Sequence, residues 1–189
     1  PYRPSFDARN TALSRRTVAT YTDLGLWNEM QLHATPIHEI HVSERGHFGM
    51  SRLVADEENV ESFGQCIENA WMGLVLLLAL KRCTNVTVHD GATLTGIRQH
   101  GTHVSADIKK GDELFTLNAP LLVAADGANS PCREMLGINA TTTPYGQVAL
   151  VTTVATHLPH KQIAFERFTE SGPVALLPLP EDRRSVVWT

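Results

Sequence analysis

Asp126, Gly127, Ser130 and Arg133 fall within one short stretch, and their types suit the holding of a phosphorylated ligand close to main chain. A carboxylate accepts from sugar hydroxyls or fixes an arginine, and a guanidinium meets phosphate with paired N–H donors. Gly127 allows a positive φ that a Cβ would oppose. Ser130 is a good helix N-cap, Pro131 suits the first helical position, where its missing N–H costs nothing, and Gly137 suits the position just past the end. The sequence therefore predicts a short helix whose N-terminal amides look toward the segment before it. Asp-Gly alone is an ordinary turn; the longer string carries the signal.

The segment before it, Ala119 to Ala125, is apolar without period-2 alternation. This predicts a strand covered on both faces, as in a parallel sheet, with its carboxyl end as the ligand edge. Further elements must surround such a strand. Asn10 to Trp27 carries apolar residues at mostly helical spacing, and Pro36 to Ser43 alternates as a half-buried strand. Asn69 to Arg82 is a helix apolar all round, predicted to be buried, with Lys81 and Arg82 in its last turn. From Asn85 a meander is legible: Val86 and Val88, a turn at Asp90-Gly91, Leu94 to Arg98, a turn at His100-Gly101, Val104 to Ile108, a turn at Lys110-Gly111-Asp112, then Leu114 to Leu117. Beyond Gly137 strands are predicted over 147–156, 162–168, 174–179 and 185–189. A sheet-and-helix part followed by an antiparallel part places a boundary near 140–145.

The net charge of -4 over 189 residues supplies no basic stripe, which argues against a nucleic-acid partner. Three cysteines, odd in number and far apart, suggest neither a disulfide framework nor a CxxC metal site. Cys132 falls in the first turn of the short helix, where the dipole would lower its pKa, although a packed structural cysteine is the plainer expectation. The nine histidines lack the paired, one-face spacing of metal ligands, and no Gly-x-Ser-x-Gly elbow supports a hydrolase. The longest apolar stretch, Ala70 to Leu80, is too short to span a bilayer, and no signal peptide opens the sequence. A cytoplasmic protein, at most peripheral to the inner membrane, is expected.

An apolar strand, Asp-Gly, two residues, Ser, two residues and Arg together resemble the DG motif of the FAD-dependent aromatic hydroxylases, the class A flavoprotein monooxygenases. In that family the segment lies between the flavin pyrophosphate and the path of the nicotinamide cofactor. The resemblance therefore assigns Asp126, Gly127, Ser130 and Arg133 to cofactor binding. Residues 6–14, FDARNTALS, resemble the stretch after the second strand in ubiquinone-pathway hydroxylases, which implies Arg9 next to the flavin. Residues 64–68, GQCIE, resemble a segment where a polar side chain at the start of the long helix faces the flavin, which implies Gln65, with Glu68 and Asn69 behind it. GHFG at 46–49 and AFERFTESGPVALLPLPEDRRSVVW at 164–188 are similar to the hydroxylases that act on 2-octaprenyl-6-methoxyphenol in ubiquinone biosynthesis.

What the resemblance implies is an α/β fold: an FAD/NAD(P)-binding Rossmann-like domain lacking its first βαβ glycine loop, with part of an antiparallel-sheet substrate domain. Residues 1–35 and 65–140 would form the FAD-binding side, and 36–64 and 141–189 the substrate side. No Gly-x-Gly occurs in the sequence, and the family's later Gly-Asp segment has no counterpart. The chain is thus expected to be an internal fragment, binding FAD weakly by itself and inactive alone. The implied activity is hydroxylation of a polyprenylated phenol with FAD, NAD(P)H and O₂, the lipid tail lying along 174–179. Association with a membrane surface or a ubiquinone-biosynthesis complex goes with that role. No catalytic side chain is expected, because the hard chemistry belongs to the cofactor. The alternatives are a hydroxylase of a small soluble phenol and a non-enzymatic lipid- or protein-binding module on the same fold.

Overall fold

The computed structural model describes residues 9–189, so residues 6–8 of the FDARNTALS stretch lie outside the described residues. By internal contacts the chain divides into two units: Asn85–Tyr145, and the remainder on either side of it. The architecture is mixed α/β with three sheets.

In the larger unit, β1 (Asn10–Ser14) leads into α1 (Arg15–Asp23), then α2 (Trp27–Met30), a 3₁₀ turn and β2 (Ala34–Ile37). The single helix expected over Asn10 to Trp27 is therefore a strand, a helix and a short second helix. The Ser14 hydroxyl accepts from the Thr17 N–H at 3.2 Å and starts α1 there. Residues before that cap pair instead with β5 (Gly64–Glu68), from Asn10↔Glu68 to Ser14↔Gly64. Gly64 makes this pairing possible, since a Cβ on it would sit 2.3 Å from the Leu13 carbonyl oxygen.

The strand expected over Pro36 to Ser43 breaks at His38. Its first part, β2, joins β5 in the three-stranded sheet β1-β5-β2; its second part, β3 (Glu39–Glu44), crosses into a six-stranded sheet. There the order is β4-β3-β10-β11-β12-β9, with β4 (Met50–Val54), β9 (Leu150–Ala155), β10 (Ile163–Thr169), β11 (Gly172–Pro178) and β12 (Arg183–Trp188). Only β3–β10 is parallel; the other pairs are antiparallel. The four late strands stand where alternation placed them.

Strand β5 is the shared wall of two cores. Successive side chains of a strand point to opposite faces. Ile67 packs with Leu13, Met30 and Val75 against the helices, and Cys66 packs with Ile37, Ala164 and Leu179 against the large sheet. The helix after it, α3 (Asn69–Arg82), forms as expected, but its burial does not. Val75 is its buried residue, while Leu74, Leu77, Leu78 and Leu80 are exposed. Its apolar circumference calls for cover on every side, and the described residues cover one.

The smaller unit holds the meander β6 (Ala92–Gln99), β7 (Val104–Lys110) and β8 (Glu113–Ala119), then α4 (Pro131–Met135). Val86 and Val88 join no ladder. The parallel-sheet strand expected over Ala119 to Ala125 is not formed: residues 120–125 join no ladder, and Leu121 and Val123 are exposed. A strand needs a ladder partner as well as a pattern, and none stands beside this segment among the described residues. No described helix is long and apolar enough to cross a membrane.

Candidate functional site

The Asp-Gly turn has the local geometry the sequence predicts. Gly127 takes φ +84, and Ser130 caps α4 with its hydroxyl accepting from the Arg133 N–H at 3.0 Å. Asp126 completes the cap: Oδ1 accepts from the Ser130 hydroxyl at 2.6 Å and Oδ2 from the Cys132 N–H at 3.0 Å. These donors, the Ser130 hydroxyl foremost, hold the Asp126 carboxyl well below the usual carboxylate range. Arg133 turns away from Asp126 and donates from Nη2 to the Ala128 carbonyl at 2.8 Å. So Asp126 fixes the helix start rather than the arginine. The Cys132 thiol is moved upward, chiefly by its hydrogen bond to Asp126 and then by burial, which reverses the lowering expected from the dipole. Cys132 is a packed residue.

Asp126 and Gly127 are exposed, as a ligand edge must be. An ionised carboxylate offers about four lone-pair sites, and the Ser130 hydroxyl, the Cys132 amide and the Cys132 thiol draw on three of them. A guanidinium has five N–H donors, and the bond to the Ala128 carbonyl leaves Arg133 able to meet an anion. Asp126, Gly127, Ser130 and Arg133 thus come together as one turn.

Gln65 lies in the β1–β5 ladder of the larger unit, and Arg9 immediately precedes β1. Arg9 is exposed, and its carbonyl accepts from the Asn69 N–H at 2.8 Å. Gln65 lies in β5, not at the start of a helix: α3 begins four residues later. That strand, buried between β1 and β2 through Glu68, ends where α3 starts at the expected Asn69. Gln65 is half-buried and lines a cleft of about 530 Å³ together with Arg15, Trp27, Gln31 and Pro36. It pairs with Leu13, and Arg9 stands four residues before that partner, roughly 13 Å along an extended chain.

Glu68 is buried, and its carboxylate lies 2.5 Å from Nη1 of Arg183, the first residue of β12. Arg184 beside it donates to the Thr156 hydroxyl and the Pro159 carbonyl, with its guanidinium 5.7 Å from the Phe165 ring centre. Sequence inspection did not single out either arginine. An Arg-Arg pair at a strand start reads as solvated charge, and the partner of Arg183 is 115 positions distant. Among the described residues no three His, Cys, Asp or Glu side chains are grouped to hold a metal ion.

Residues 3–189 match the family described as FAD binding domain. Ubiquinone hydroxylase UbiL of Rhodospirillum rubrum is 34% identical over 184 residues, covering 97% of this chain and 42% of that protein. The 3-demethoxyubiquinol 3-hydroxylase of Escherichia coli is 29% identical over 184 residues, covering 96% and 46%. Among solved structures, p-nitrophenol 4-monooxygenase PnpA from Pseudomonas putida superposes with a TM-score of 0.81 at 16% identity, covering 98% of this chain and 48% of that one, a likeness of fold. The chain spans less than half the length of these two curated relatives.

Proposed function

Because the chain belongs to the FAD binding domain family, we propose that it works as part of an FAD-dependent monooxygenase that hydroxylates a polyprenylated phenol in ubiquinone biosynthesis, with NAD(P)H as reductant and O₂ as oxidant. The observation that carries this reading is the 34% identity, sustained along 97% of the chain, with a ubiquinone hydroxylase. Bound FAD supplies the activation of oxygen, and the protein supplies orientation and exclusion of water.

The residues present fit such a cofactor. Arg9, just before β1, offers an exposed guanidinium, and Gln65, on β5, a half-buried amide. In the smaller unit, Asp126 presents an exposed carboxylate to hydroxyl groups and Arg133 keeps N–H donors for phosphate, while Gly127 leaves the approach to main chain unobstructed. Ser130 acts through Asp126 and the helix start, holding both in place. The division follows from these roles: residues 1–35 and 65–140 serve the cofactor, and 36–64 and 141–189 serve the substrate. Val174, Ala175, Leu176 and Leu177 form a half-buried apolar run on β11, suited to a prenyl tail.

The test is an absorption spectrum of the full-length protein, followed by turnover of prenylated and unprenylated phenols with NADH or NADPH. Flavin bands and oxygen incorporated into the prenylated phenol are expected. Preference for the unprenylated compound would point to a small-phenol hydroxylase, and a protein that cannot be loaded with FAD would remove the enzymatic reading altogether.

A further inference from the structure

We propose that Arg183 is a positioning residue: by holding the Glu68 carboxylate it fixes the β5–α3 junction, and through that junction the placement of Gln65 and Arg9. The inference rests on the assignment of those two residues to the cofactor.

The junction is where three segments meet. Glu68 is the last residue of β5 and lies opposite Asn10 in the ladder. Asn69, the first residue of α3, donates its N–H to the Arg9 carbonyl and accepts from the Thr11 hydroxyl at 2.7 Å through Oδ1. Residues 9–11 therefore depend on where Glu68 and Asn69 sit. Gln65 is three positions upstream on the same strand, on the opposite face from Glu68. Anchoring Glu68 against β12 sets both the rotation and the reach of β5, and hence the direction of Gln65.

The chemistry of the pair shows what it is for. Its side chains are 5% and 1% exposed, and one guanidinium nitrogen, Nη1, meets the carboxylate. Nε and Nη2 of Arg183 have no hydrogen-bond partner among the described residues, and neither has Nδ2 of Asn10. Glu181 comes within 3.9 Å of Nε but is 72% exposed. A buried ion pair with unmet donors is a poor source of stability; apolar side chains of equal volume usually do as well or better. What an apolar contact lacks is direction, because it is tolerant of sliding where a charged hydrogen bond is not. Cys66, Ala164 and Leu179 already supply apolar contact between β5 and the large sheet. The pair adds a directed contact between β5 and β12 to that apolar one.

The experiment uses the full-length protein loaded with FAD and the double variant Glu68→Leu with Arg183→Met. Its melting temperature is expected to stay at or above the original, while the Kd for FAD rises about tenfold, one 1.4 kcal/mol step. The visible flavin bands shift. Arg183→Lys, which keeps the charge without the planar fork, falls between. A folded double variant with the original FAD affinity and spectrum overturns the proposal. If the double variant does not fold, Arg183→Lys decides alone, and an unaltered Kd overturns the proposal equally. If the unsubstituted protein takes up no FAD, the functional reading has failed. The coupling is then read from amide exchange at residues 9–11 and 65, which Arg183→Lys must accelerate; unchanged exchange overturns it.

Discussion

Two carboxylates organise this chain, and they do so in opposite ways. Asp126 is exposed and bonded within its own turn, to Ser130 and to the Cys132 amide. Glu68 is buried, and its cation comes from the far end of the sequence. The first acid is held by neighbours that no other part of the fold needs to supply. The second is correct only once β5 and β12 have both formed. A ligand edge built in the first way is robust to changes elsewhere, whereas one built in the second way reports on the whole larger unit.

The largest expected effect tests the buried side. Arg183→Leu takes the cation away from a carboxylate side chain that is 1% exposed, and loss of one partner of such a pair costs about 3–5 kcal/mol. Urea unfolding should show a lower midpoint at an unchanged slope; a loss below about 1 kcal/mol would mean that Glu68 is not confined as described. Next in size is Gly64→Ala. Its new Cβ would press on the Leu13 carbonyl from 2.3 Å, so β1 must part from β5, at about 1–3 kcal/mol for overpacking. Faster amide exchange across residues 10–14, without change in the Asp126 turn, is the expected pattern.

The same contrast explains what could be read in the sequence. Ser130, Pro131 and Gly137 announced α4 correctly because capping is decided by a handful of consecutive residues. The hairpins β6–β7–β8 and β10–β11–β12 were legible for the same reason, from alternation and turn residues. Errors arose where pairing between distant segments overruled local pattern. Asn10–Ser14 has spacing fit for a helix, yet it is a strand because β5 lies beside it. Ala119–Ala125 has the pattern of a buried strand, yet it is uncovered because no neighbour among the described residues pairs with residues 120–125. His38 falls inside an alternating run, and only the crossing from one sheet to the next separates β2 from β3 there. In the candidate site, the Gly127 turn and the Ser130 cap were legible, whereas the bonding of Asp126 to Ser130 and Cys132 rather than to Arg133 was not. Gln65 was found by resemblance and placed in the wrong element, and Arg183 carried no local signal at all.

A smaller effect belongs to the exposed side. Ser130→Ala removes the N-cap acceptor for the Arg133 amide and the donor to Asp126, at about 1 kcal/mol. The loss should be confined to the smaller unit, seen as faster exchange at Cys132 and Arg133 with β5 untouched. Exchange rising equally in both regions would erase the distinction between them.

The last effect is one of pH, and its sign follows from Asp126. The Ser130 hydroxyl and the Cys132 amide favour the ionised form, so the folded pKa lies below the unfolded one. Such a group contributes its stability above the unfolded value, near pH 4 for an aspartate, and loses it as pH falls through the folded value. Acid below the ordinary carboxylate range should therefore fray residues 126–133, and Asp126→Asn should remove that dependence. The same substitution takes away the carboxylate that raises the Cys132 thiol, so thiolate absorbance at Cys132 should appear at lower pH. Cys66 supplies the internal control, because burial alone pushes its thiol up to about 12. Its titration must ignore Asp126→Asn if the turn is the self-contained device its hydrogen bonds describe, and a shift at Cys66 would show that the two regions are coupled.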